Sequence, residues 1–429
     1  MKRTLAQWLA HQQRIHPAGV ALGLERVRVV WQRLGSPRAA PVVVTVGGTN
    51  GKGSTVAFLE AMLAASGRRV GAYTSPHLVR YNERIRVTGI AAGDDVLVDA
   101  FERIEQARGD TLLTYFEFGT LAALLVLAAA RLDAALLEVG LGGRLDAVNV
   151  VDADAAIVTT VDYDHMDYLG DDLEAIAFEK AGIFRAGRPA IVGERSPPAA
   201  LVSYAESIGA LLEREGVDFS HRDSDAGWTW LHRDGTRLEL PLPRLEAPAQ
   251  RDNAAAAIAA LHALRGRLAV DHDAIAAGVA AASVPGRLQR VRVAPEVVVD
   301  VGHNPQAARE IARWLEAAPR PGRAIAVFAA LGDKDIAGIV EALARRFDAW
   351  HIAGLSRESP RGTDAATLAA RAGDALAGRI AGLHDDVASA LDAALAQAGA
   401  DDRVVAFGSF FTVAAALRAL GSGEPHGPV

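Results

Sequence analysis

The sequence predicts an α/β protein with two domains. Its 429 residues exceed what one ordinary hydrophobic core organises. Short β-branched runs alternate with amphipathic helical runs along most of the chain, which is the pattern of βαβ units in parallel sheets. This pattern breaks near Ser283–Arg287 and then starts again. We therefore expect an N-terminal P-loop-type domain with a mostly parallel sheet over residues 1–282, a linker over 283–295, and a C-terminal Rossmann-like, doubly wound domain over 296–429.

Four strands and three helices define the expected first domain. A glycine-rich turn follows the first strand and leads into a helix that ends near Gly67. The apolar stretch Leu121–Ala130 is too short to span a bilayer and predicts a buried helix, and Ala254–Leu264 is a helix of high propensity. Residues Asp218–Leu240 mix Trp, His and charged residues and are interpreted as a β excursion. The predicted strands are Val42–Val46, Ala134–Val139, Ala155–Thr160 and Pro189–Val192.

The expected second domain alternates strands with helical segments, as in an open, doubly wound sheet. The segment Gly421–Val429 that ends the chain is expected to be disordered, as chain ends without packing usually are. The predicted strands of this domain are Val297–Asp300, Ala324–Phe328, Ala349–Ile352 and Val404–Phe407.

Composition excludes several classes of protein. The formal net charge of -7 argues against nucleic acid as the main partner, because phosphate backbones require a basic surface. The sequence has no cysteine, which excludes disulfides and thiolate metal sites and fits a reducing compartment. Lys2 and Arg3 are not followed by the apolar segment of a signal peptide. We expect a cytoplasmic monomer with no membrane or nucleic-acid partner.

A phosphate-binding loop is predicted between the first strand and its helix, in the segment Gly47–Ser54. Its glycines let backbone N–H groups turn inward, the helix N-terminus adds positive potential, and Lys52 can reach β and γ phosphates. The spacing departs from the standard motif at Val46 and at Gly53, where Ser or Thr usually follows the lysine. A tight turn without a ligand is the alternative for such a segment. The candidate nucleotide-binding residues in it are Thr49, Asn50, Gly51, Lys52, Gly53 and Ser54.

Two longer segments of the sequence resemble known protein families. The segment Gly48–Ser54 resembles the loop of the Mur ligase superfamily, and Tyr73–Ile85 is similar to the folylpolyglutamate synthase/dihydrofolate synthase family in particular. The resemblance extends over essentially the whole chain and implies an ATPase domain joined to a ligase domain. Its other segments are Leu22–Arg26, Leu137–Asp146, Asp164–His165, Glu179–Phe184, Pro285–Arg287 and Asp300–Asn304.

Several candidate metal ligands follow predicted strands. Glu138 closes an apolar strand, and the carboxyl ends of parallel strands converge on the ligand crevice. A loop acid that only caps the backbone is the alternative. The resemblance implies that Ser75 and Glu138 hold one Mg²⁺ and that His165 helps to hold a second, although imidazole is a less typical ligand of this ion. Without the resemblance, His165 would be interpreted as an ordinary loop histidine.

Lys180 is the most unusual candidate ligand. As part of Glu179-Lys180 in a helix, it would by itself be interpreted as half of a solvated pair. The resemblance implies instead that CO₂ carbamylates it to N6-carboxylysine, which requires the neutral amine that burial can supply. The product is a negatively charged oxygen ligand that suits Mg²⁺. The candidate catalytic residues are therefore Lys52, His165 and Lys180, and the candidate metal ligands are Ser75, Glu138, His165 and Lys180.

The resemblance also implies further contacts with nucleotide and substrate. Asn253 opens the Ala-rich helix, where Asn is also a plain N-cap, and Arg287 carries a guanidinium fork suited to phosphate. Asp300 ends a strand, where it could instead cap the next helix. Phe116 is a candidate stacking partner for a pterin, although a core aromatic is the ordinary interpretation. The candidate substrate-binding residues are Leu22, Gly23, Leu24, Glu25, Thr114, Tyr115, Phe116, Glu117, Leu145, Asp146 and Ala147.

The activity that the resemblance implies is that of an ATP-dependent acid–amino-acid ligase. It adds L-glutamate to 7,8-dihydropteroate and to tetrahydrofolates through an acyl phosphate, with ATP and two Mg²⁺ ions. Folate extension alone is the alternative within the family. A peptidoglycan Mur ligase would carry an additional domain ahead of the loop, which here begins at Gly47. A non-catalytic nucleotide switch would need the loop but not Glu138, His165 and Lys180 together.

Overall fold

The computed structural model describes residues 3–16, 21–224 and 227–421. The chain divides into two compact units, of which the first comprises Met1–Arg244 and Gln250–Ser283 and the second comprises Leu245–Ala249 and Val284–Val429. Each unit is a mostly parallel sheet with helices packed on it, which confirms the predicted fold class. The prediction of a disordered C-terminal tail falls on residues 422–429, which lie outside the described part of the chain.

One eight-stranded sheet organises the first unit. Its strands are β1 (Val42–Gly47), β2 (Val70–Tyr73), β3 (Ile85–Val87), β4 (Ile90–Ala91), β5 (Ala134–Glu138), β6 (Ala155–Val158), β7 (Pro189–Val192) and β8 (Leu211–Arg214). They lie in the order β4-β3-β2-β5-β1-β6-β7-β8. All neighbours pair in parallel except β2 with β3 and β3 with β4, which are antiparallel. The four predicted strands correspond to β1, β5, β6 and β7, with ends shifted by at most two residues.

Helices cover both faces of this sheet. They are α1 (Leu5–Ile15), α2 (Glu25–Arg33), α3 (Lys52–Ala65), α4 (Asp94–Arg108), α5 (Tyr115–Ala129), α6 (Met166–Leu169), α7 (Leu173–Ala181), α8 (Ala199–Ser207), α9 (Gln250–Ala263) and α10 (His272–Ala281). One face packs against α1, α2, α4 and α5 through a core that includes Val43, Tyr73 and Leu137. The helices α3, α9 and α10 pack together on the sheet as well, with α3 against β1, β2 and β5.

The predicted β excursion is a separate three-stranded antiparallel sheet. Its strands are β9 (Phe219–Ser224), β10 (Gly227–His232) and β11 (Arg237–Leu240), in the order β11-β10-β9. Trp228 and Trp230 on the central strand are fully buried. The Trp230 indole N–H donates to the Ala255 carbonyl at 3.2 Å, so the small sheet is fastened to α9.

The second unit contains the predicted doubly wound sheet. Its strands are β12 (Gln289–Val293), β13 (Glu296–Asp300), β14 (Ala324–Phe328), β15 (Ala349–Ala353), β16 (Ile380–His384) and β17 (Arg403–Phe407). Their order is β12-β13-β17-β14-β15-β16, and every pair is parallel except β12 with β13. Its helices are α11 (Pro305–Ala317), α12 (Ile336–Leu343), α13 (Ala365–Ala372), α14 (Val387–Gln397) and α15 (Phe410–Ala419). In the described residues, no helix of either unit has the length and apolar character needed to cross a membrane.

The segment 283–295 differs from the predicted linker. Residues from Val284 onward belong to the second unit, because β12 pairs with β13 along its edge. The second unit also takes in Leu245–Ala249, which the sequence pattern does not indicate. In this short segment the Glu246 carboxylate accepts a 3.0 Å hydrogen bond from the Trp314 indole N–H. A five-residue excursion has no periodicity of its own, so only its contacts assign it to a unit.

The contact between α3 and α10 gives a prediction for stability. A Cβ on Gly278 would lie 2.5 Å from the backbone N and Cα of Met62, so the two helices could not keep their separation. Such overpacking costs about 1–3 kcal/mol, more than the roughly 0.5–1 kcal/mol that alanine gains over glycine in a helix. We expect Gly278→Ala to lower the urea midpoint without changing the m-value. Gly266→Ala, where a Cβ meets open space, is the matched control and should leave the midpoint unchanged or raise it.

Candidate active site

The phosphate loop connects β1 to α3 and lies very close to its neighbours. Gly48 and Gly51 have φ angles of +141° and +86°. A Cβ on Gly48 would lie 1.9 Å from Thr159 Oγ1, and one on Gly51 would lie 2.2 Å from Asn253 Oδ1. The Thr49 N–H donates to the Thr160 carbonyl at 2.8 Å, which fastens the loop to the residues after β6. Only glycine fits at these two positions, because a Cβ would collide with the neighbouring side chains.

The first turn of α3 is equipped to bind an anion. The helix begins directly after the loop, and its N-cap residue Gly51 brings no side-chain acceptor to the first N–H groups. Such N–H groups and the helix dipole favour negative charge. Lys52 Nζ donates to the carbonyls of Gly48 and Thr49 at 2.9 and 3.0 Å, so its charge lies over the loop. The Ser54 hydroxyl oxygen is buried without a hydrogen-bond partner in the described residues.

Glu138 lies between Ser75 and the phosphate loop. It is the last residue of β5 and pairs in register with Val46 of β1. Its Oε2 accepts a 3.1 Å hydrogen bond from the Ser75 backbone N–H. Both carboxylate oxygens are 3.7 Å from the point where a Cβ of Gly53 would lie. The structure therefore brings Ser75, Glu138 and the start of α3 together, as expected from the convergence of strand ends.

Lys180 is a buried amine on the same edge. Its side chain lies in the last turn of α7 and is only 4% exposed. Burial, and to a smaller extent the nearby charge of Lys52, lower its pKa to about 7, while the charge of Asp164 acts in the opposite direction. The adjacent Glu179 does not pair with it, since Glu179 Oε1 accepts from the Arg144 guanidinium at 2.6 and 3.0 Å. The interpretation of Glu179 and Lys180 as a solvated pair is therefore wrong.

His165 lies beside this group in an unusual backbone conformation. Its φ of 54° and ψ of 38° are left-handed, a region that few residues other than glycine adopt. Its backbone N–H donates to the Asp164 carboxylate at 2.9 Å, and Asp164 in turn interacts electrostatically with Lys180. Asp164, Thr159 and Thr160 were not among the candidate site residues. All three follow β6, so the rule that selected Glu138 at the end of β5 could have selected them.

The three predicted substrate segments meet in the first unit. The Gly23 N–H donates to the Leu145 carbonyl at 3.3 Å, and the Arg26 guanidinium donates to Glu117 at 2.8 Å. The ring of Phe116 lies against Gly140, where a Cβ would be 2.4 Å from its Cζ. The predicted substrate-binding residues therefore lie in one region of the fold. They are Leu22, Gly23, Leu24, Glu25, Thr114, Tyr115, Phe116, Glu117, Leu145, Asp146 and Ala147.

Two acids in this region are committed to protein contacts. Glu117 accepts from Arg26 and from the Thr114 backbone N–H at 2.7 Å, which completes the capping box of α5. Asp146 accepts from the N–H groups of Gly140, Leu141 and Val148 at 2.9–3.0 Å. Burial raises the pKa of Asp146 to about 6, against these hydrogen bonds and the charge of Lys52. Both carboxylates therefore hold the backbone of this region in place.

The remaining candidates lie on both units. Asn253 is in the first turn of α9, which begins at Gln250, so the N-cap interpretation is wrong. Its Nδ2 donates to Gln250 Oε1 at 3.1 Å, and its Oδ1 faces Gly51. In the second unit, Asp300 accepts from the N–H groups of Leu288 and Gly302 at 2.8 and 2.7 Å. Burial raises the pKa of Asp300, and the charge of Arg287 opposes this.

Models of known protein families match both units of the chain. A model described as the Mur ligase middle domain matches residues 46–200, and one described as the Mur ligase glutamate ligase domain matches residues 286–410. The chain is 47% identical to the dihydrofolate synthase/folylpolyglutamate synthase of Escherichia coli (strain K12), over 97% of this chain and 95% of the relative. It is 38% identical to the enzyme of that name from Haemophilus influenzae, over 96% of both chains.

Solved structures show the same similarity in three dimensions. E. coli FolC in complex with DHPP and ADP is similar with a TM-score of 0.92 at 47% identity, covering 98% of both chains. A bifunctional folylpolyglutamate synthase/dihydrofolate synthase with Mn, AMPPNP and L-glutamate bound has a TM-score of 0.89 at 44% identity, again covering 98% of both. Between them, these two structures contain ADP or AMPPNP, Mn, DHPP and L-glutamate.

The contact between Gly51 and Asn253 predicts an effect on nucleotide binding. In Gly51→Ala the new Cβ cannot lie 2.2 Å from Asn253 Oδ1, so the loop must move. We expect the Kd for ADP with Mg²⁺ to rise about tenfold or more, which corresponds to about 1.4 kcal/mol. Gly67→Ala is the matched control, because its φ of +76° carries a similar backbone strain but its Cβ meets open space. Equal ADP affinity in the two variants would contradict this role of the loop.

Proposed function

The chain belongs to the dihydrofolate synthase/folylpolyglutamate synthase family of Mur ligases, and on this premise we propose that it joins L-glutamate to dihydropteroate and to folates with consumption of ATP. The observation that carries the proposal is the shared edge of the first unit. There the glycine loop, the carboxylate of Glu138 and the buried amine of Lys180 lie together. A nucleotide switch would need only the loop.

The residues on this edge fit a nucleotide and divalent metal. The open first turn of α3, Lys52 and the unpartnered hydroxyl of Ser54 suit a triphosphate. Ser75 and Glu138 would hold one Mg²⁺, and His165 together with carbamylated Lys180 would hold a second. When bound, these ions supply positive charge for the phosphoryl oxygens. Asn253, Arg287 and Asp300 are the proposed further contacts with the nucleotide.

The burial of Lys180 supports the proposed carbamylation. A pKa of about 7 leaves a large fraction of the amine neutral at physiological pH. The neutral nitrogen forms a bond to the carbon of CO₂ and releases one proton, which gives a carbamate of charge -1. The charge of Lys52, which opposes a protonated Lys180, stabilises the carbamate instead. The same electrostatic environment thus disfavours the cation and favours the modified side chain.

The proposed reaction has two steps. A carboxylate oxygen of the folate or pteroate substrate attacks the γ-phosphorus of ATP, and ADP leaves, so that an acyl phosphate forms. Lys52 and the N–H groups of α3 hold the transferring charge in place. The α-amine of L-glutamate then attacks the acyl carbon, loses a proton, and inorganic phosphate leaves with formation of the amide. Exclusion of water protects the acyl phosphate from hydrolysis.

The region around Phe116 favours a folate or pteroate substrate over a peptidoglycan precursor. Three segments that resemble the folate family converge there, and the ring edge of Phe116 lies against the Gly140 backbone. A flat heterocycle suits such an aromatic surface. The bifunctional activity is preferred to folate extension alone because a relative with 47% identity is bound to DHPP. The expected cytoplasmic location and monomeric state are part of the same proposal.

A substrate assay tests the function directly. Purified protein with ATP, Mg²⁺ and L-glutamate should form ADP, phosphate and a new amide when dihydropteroate or tetrahydrofolate is supplied in turn, measured by mass spectrometry of the product. Omission of L-glutamate is the control and should prevent amide formation. Turnover with tetrahydrofolate but not with dihydropteroate would restrict the activity to the extension of folates. Turnover with neither substrate would overturn the proposal.

Lys180 gives the second test. Lysine occurs in this sequence only at Lys2, Lys52, Lys180 and Lys334, so ¹³C-labelled bicarbonate should give one carbamate signal by NMR. Lys180→Arg should lose that signal and reduce kcat about 100-fold or more, because a ligand of the metal is removed, and bicarbonate should not rescue it. Lys334→Arg is the matched control and should keep the signal. A wild-type rate in Lys180→Arg would contradict the carbamate.

A further inference from the structure

A group of imidazole and carboxylate side chains lies at the end of the small sheet of the first unit. His232 ends β10, Asp234 lies in the turn that follows, and His262 lies in the last turn of α9. One donor atom from each lies within 4.8 Å of the others. Asp234 Oδ1 is 2.9 Å from His232 Nδ1, and Asp234 Oδ2 is 2.8 Å from His262 Nε2. We propose that these three residues bind a divalent transition-metal ion such as Zn²⁺.

The hydrogen-bond accounting at His232 carries this proposal. A neutral imidazole has one N–H, and both ring nitrogens of His232 face a carboxylate. Nδ1 lies 2.9 Å from Asp234 Oδ1 and accepts from the Asp234 backbone N–H at 3.3 Å. Nε2 faces the Glu213 carboxylate, with Oε2 3.7 Å away. Among the described residues, neither of these two buried atoms has a hydrogen-bond partner. Each such unpaired atom costs about 1–3 kcal/mol, and in either neutral tautomer of His232 one nitrogen lone pair faces a carboxylate oxygen.

A metal ion on Nδ1 removes this conflict. The ion takes the Nδ1 lone pair, so the ring proton is carried by Nε2 and points to the Glu213 carboxylate, which has to move closer than the present 3.7 Å to accept it. Histidines that bind metals usually donate their second N–H to a carboxylate in this way. The turn also holds the Asp234 carboxylate in place, because Oδ1 accepts from the Thr236 N–H at 3.0 Å. The Asp234 N–H lies 3.3 Å from Nδ1, a long contact that a ligand on this nitrogen would displace.

The donor set selects the class of ion. Two imidazole nitrogens and one carboxylate suit zinc and its neighbours, whereas Mg²⁺ and Ca²⁺ prefer oxygen alone. Tetrahedral zinc with bonds of roughly 2.0–2.2 Å places its ligand atoms about 3.4 Å apart, so the side chains need to separate by about 0.5 Å. Arg265 contacts Asp234 only at 3.9 Å with a mostly exposed side chain, and Arg233 pairs with Asp218. Solvent can supply the fourth ligand, since Asp234 is exposed.

A second cluster on the same sheet shows why charge matters. Glu215, His221 and Asp252 also lie within reach of one another. There the Arg195 guanidinium lies 3.2 Å from Glu215, 3.3 Å from His221 and 3.8 Å from Asp252. A permanent cation thus occupies the place that a metal would take, and only one imidazole is available. This cluster is the natural control for the first.

The proposed ion would fasten the β10–β11 turn to the C-terminal end of α9. The first turn of that helix contains Asn253, which faces the phosphate loop. His262 is nine residues further along, about 14 Å at 1.5 Å per residue. The ion would therefore act as a staple of the helix, and its binding should raise thermal stability.

Zinc binding to the full chain tests the site, with excess Mg²⁺ present to fill sites made of oxygen ligands. We expect one Zn²⁺ per chain by elemental analysis after dialysis, and a rise in Tm on its addition. His262→Gln should weaken binding about 100-fold or more and abolish the rise in Tm, and Glu213→Gln should weaken binding about 10–100-fold. His221→Gln, in the cluster that contains Arg195, should bind as the wild type does.

The outcomes separate cleanly. Absence of zinc from the wild type, or equal zinc binding by His262→Gln and the wild type, would overturn the proposal. Loss of binding in His221→Gln with retention in His262→Gln would place the ion at the other cluster and overturn it as well. Circular dichroism in the presence of a chelator establishes that each variant is folded. Should His262→Gln fail to fold, Asp234→Asn tests the same ligand set, and Co²⁺ absorption reports whether imidazole nitrogen is bound.

Discussion

The active-site edge depends on how closely the phosphate loop lies against two neighbours. Gly48 lies against Thr159 and Gly51 against Asn253, at distances that leave no room for a Cβ. These contacts fix the start of α3 relative to the ends of β6 and β5. Lys52 is thereby held near Lys180, and Gly53 is held beside Glu138. A steric constraint on two glycines therefore helps to set which charged groups face one another on this edge.

The parts of this site that the sequence predicted are those that strand topology determines. Parallel strands end at one edge, so a carboxylate that closes an apolar run, such as Glu138, is expected there. The burial of Lys180 is different, because one turn of a helix looks the same in sequence whether it faces solvent or a sheet. The start of α9 was misplaced for a similar reason, since the sequence before Asn253 carries no strong cap. The edge strand β12 was missed because its exposed, charged residues resemble a linker.

The acids of the substrate region show how burial changes the meaning of a residue. Glu117 and Asp146 were candidates for direct recognition because they stand in segments typical of the family. Their oxygens accept hydrogen bonds from Arg26 and from backbone N–H groups. Burial of such groups is costly unless they are paired, and these hydrogen bonds offset that cost for both carboxylates. A sequence motif identifies the substrate region, whereas the hydrogen bonds in the structure show what each side chain in that region contacts.

The second unit is not one continuous stretch of the chain. Leu245–Ala249 is synthesised before α9 and α10, yet it packs with residues that emerge much later, and Glu246 accepts from the Trp314 indole N–H. On the ribosome, this short piece must wait for its partners while the first unit is still being completed. A gene cut at residue 284 would likewise separate Trp314 from its acceptor. Exchange of ligase domains between relatives by recombination therefore has to carry two pieces of coding sequence together.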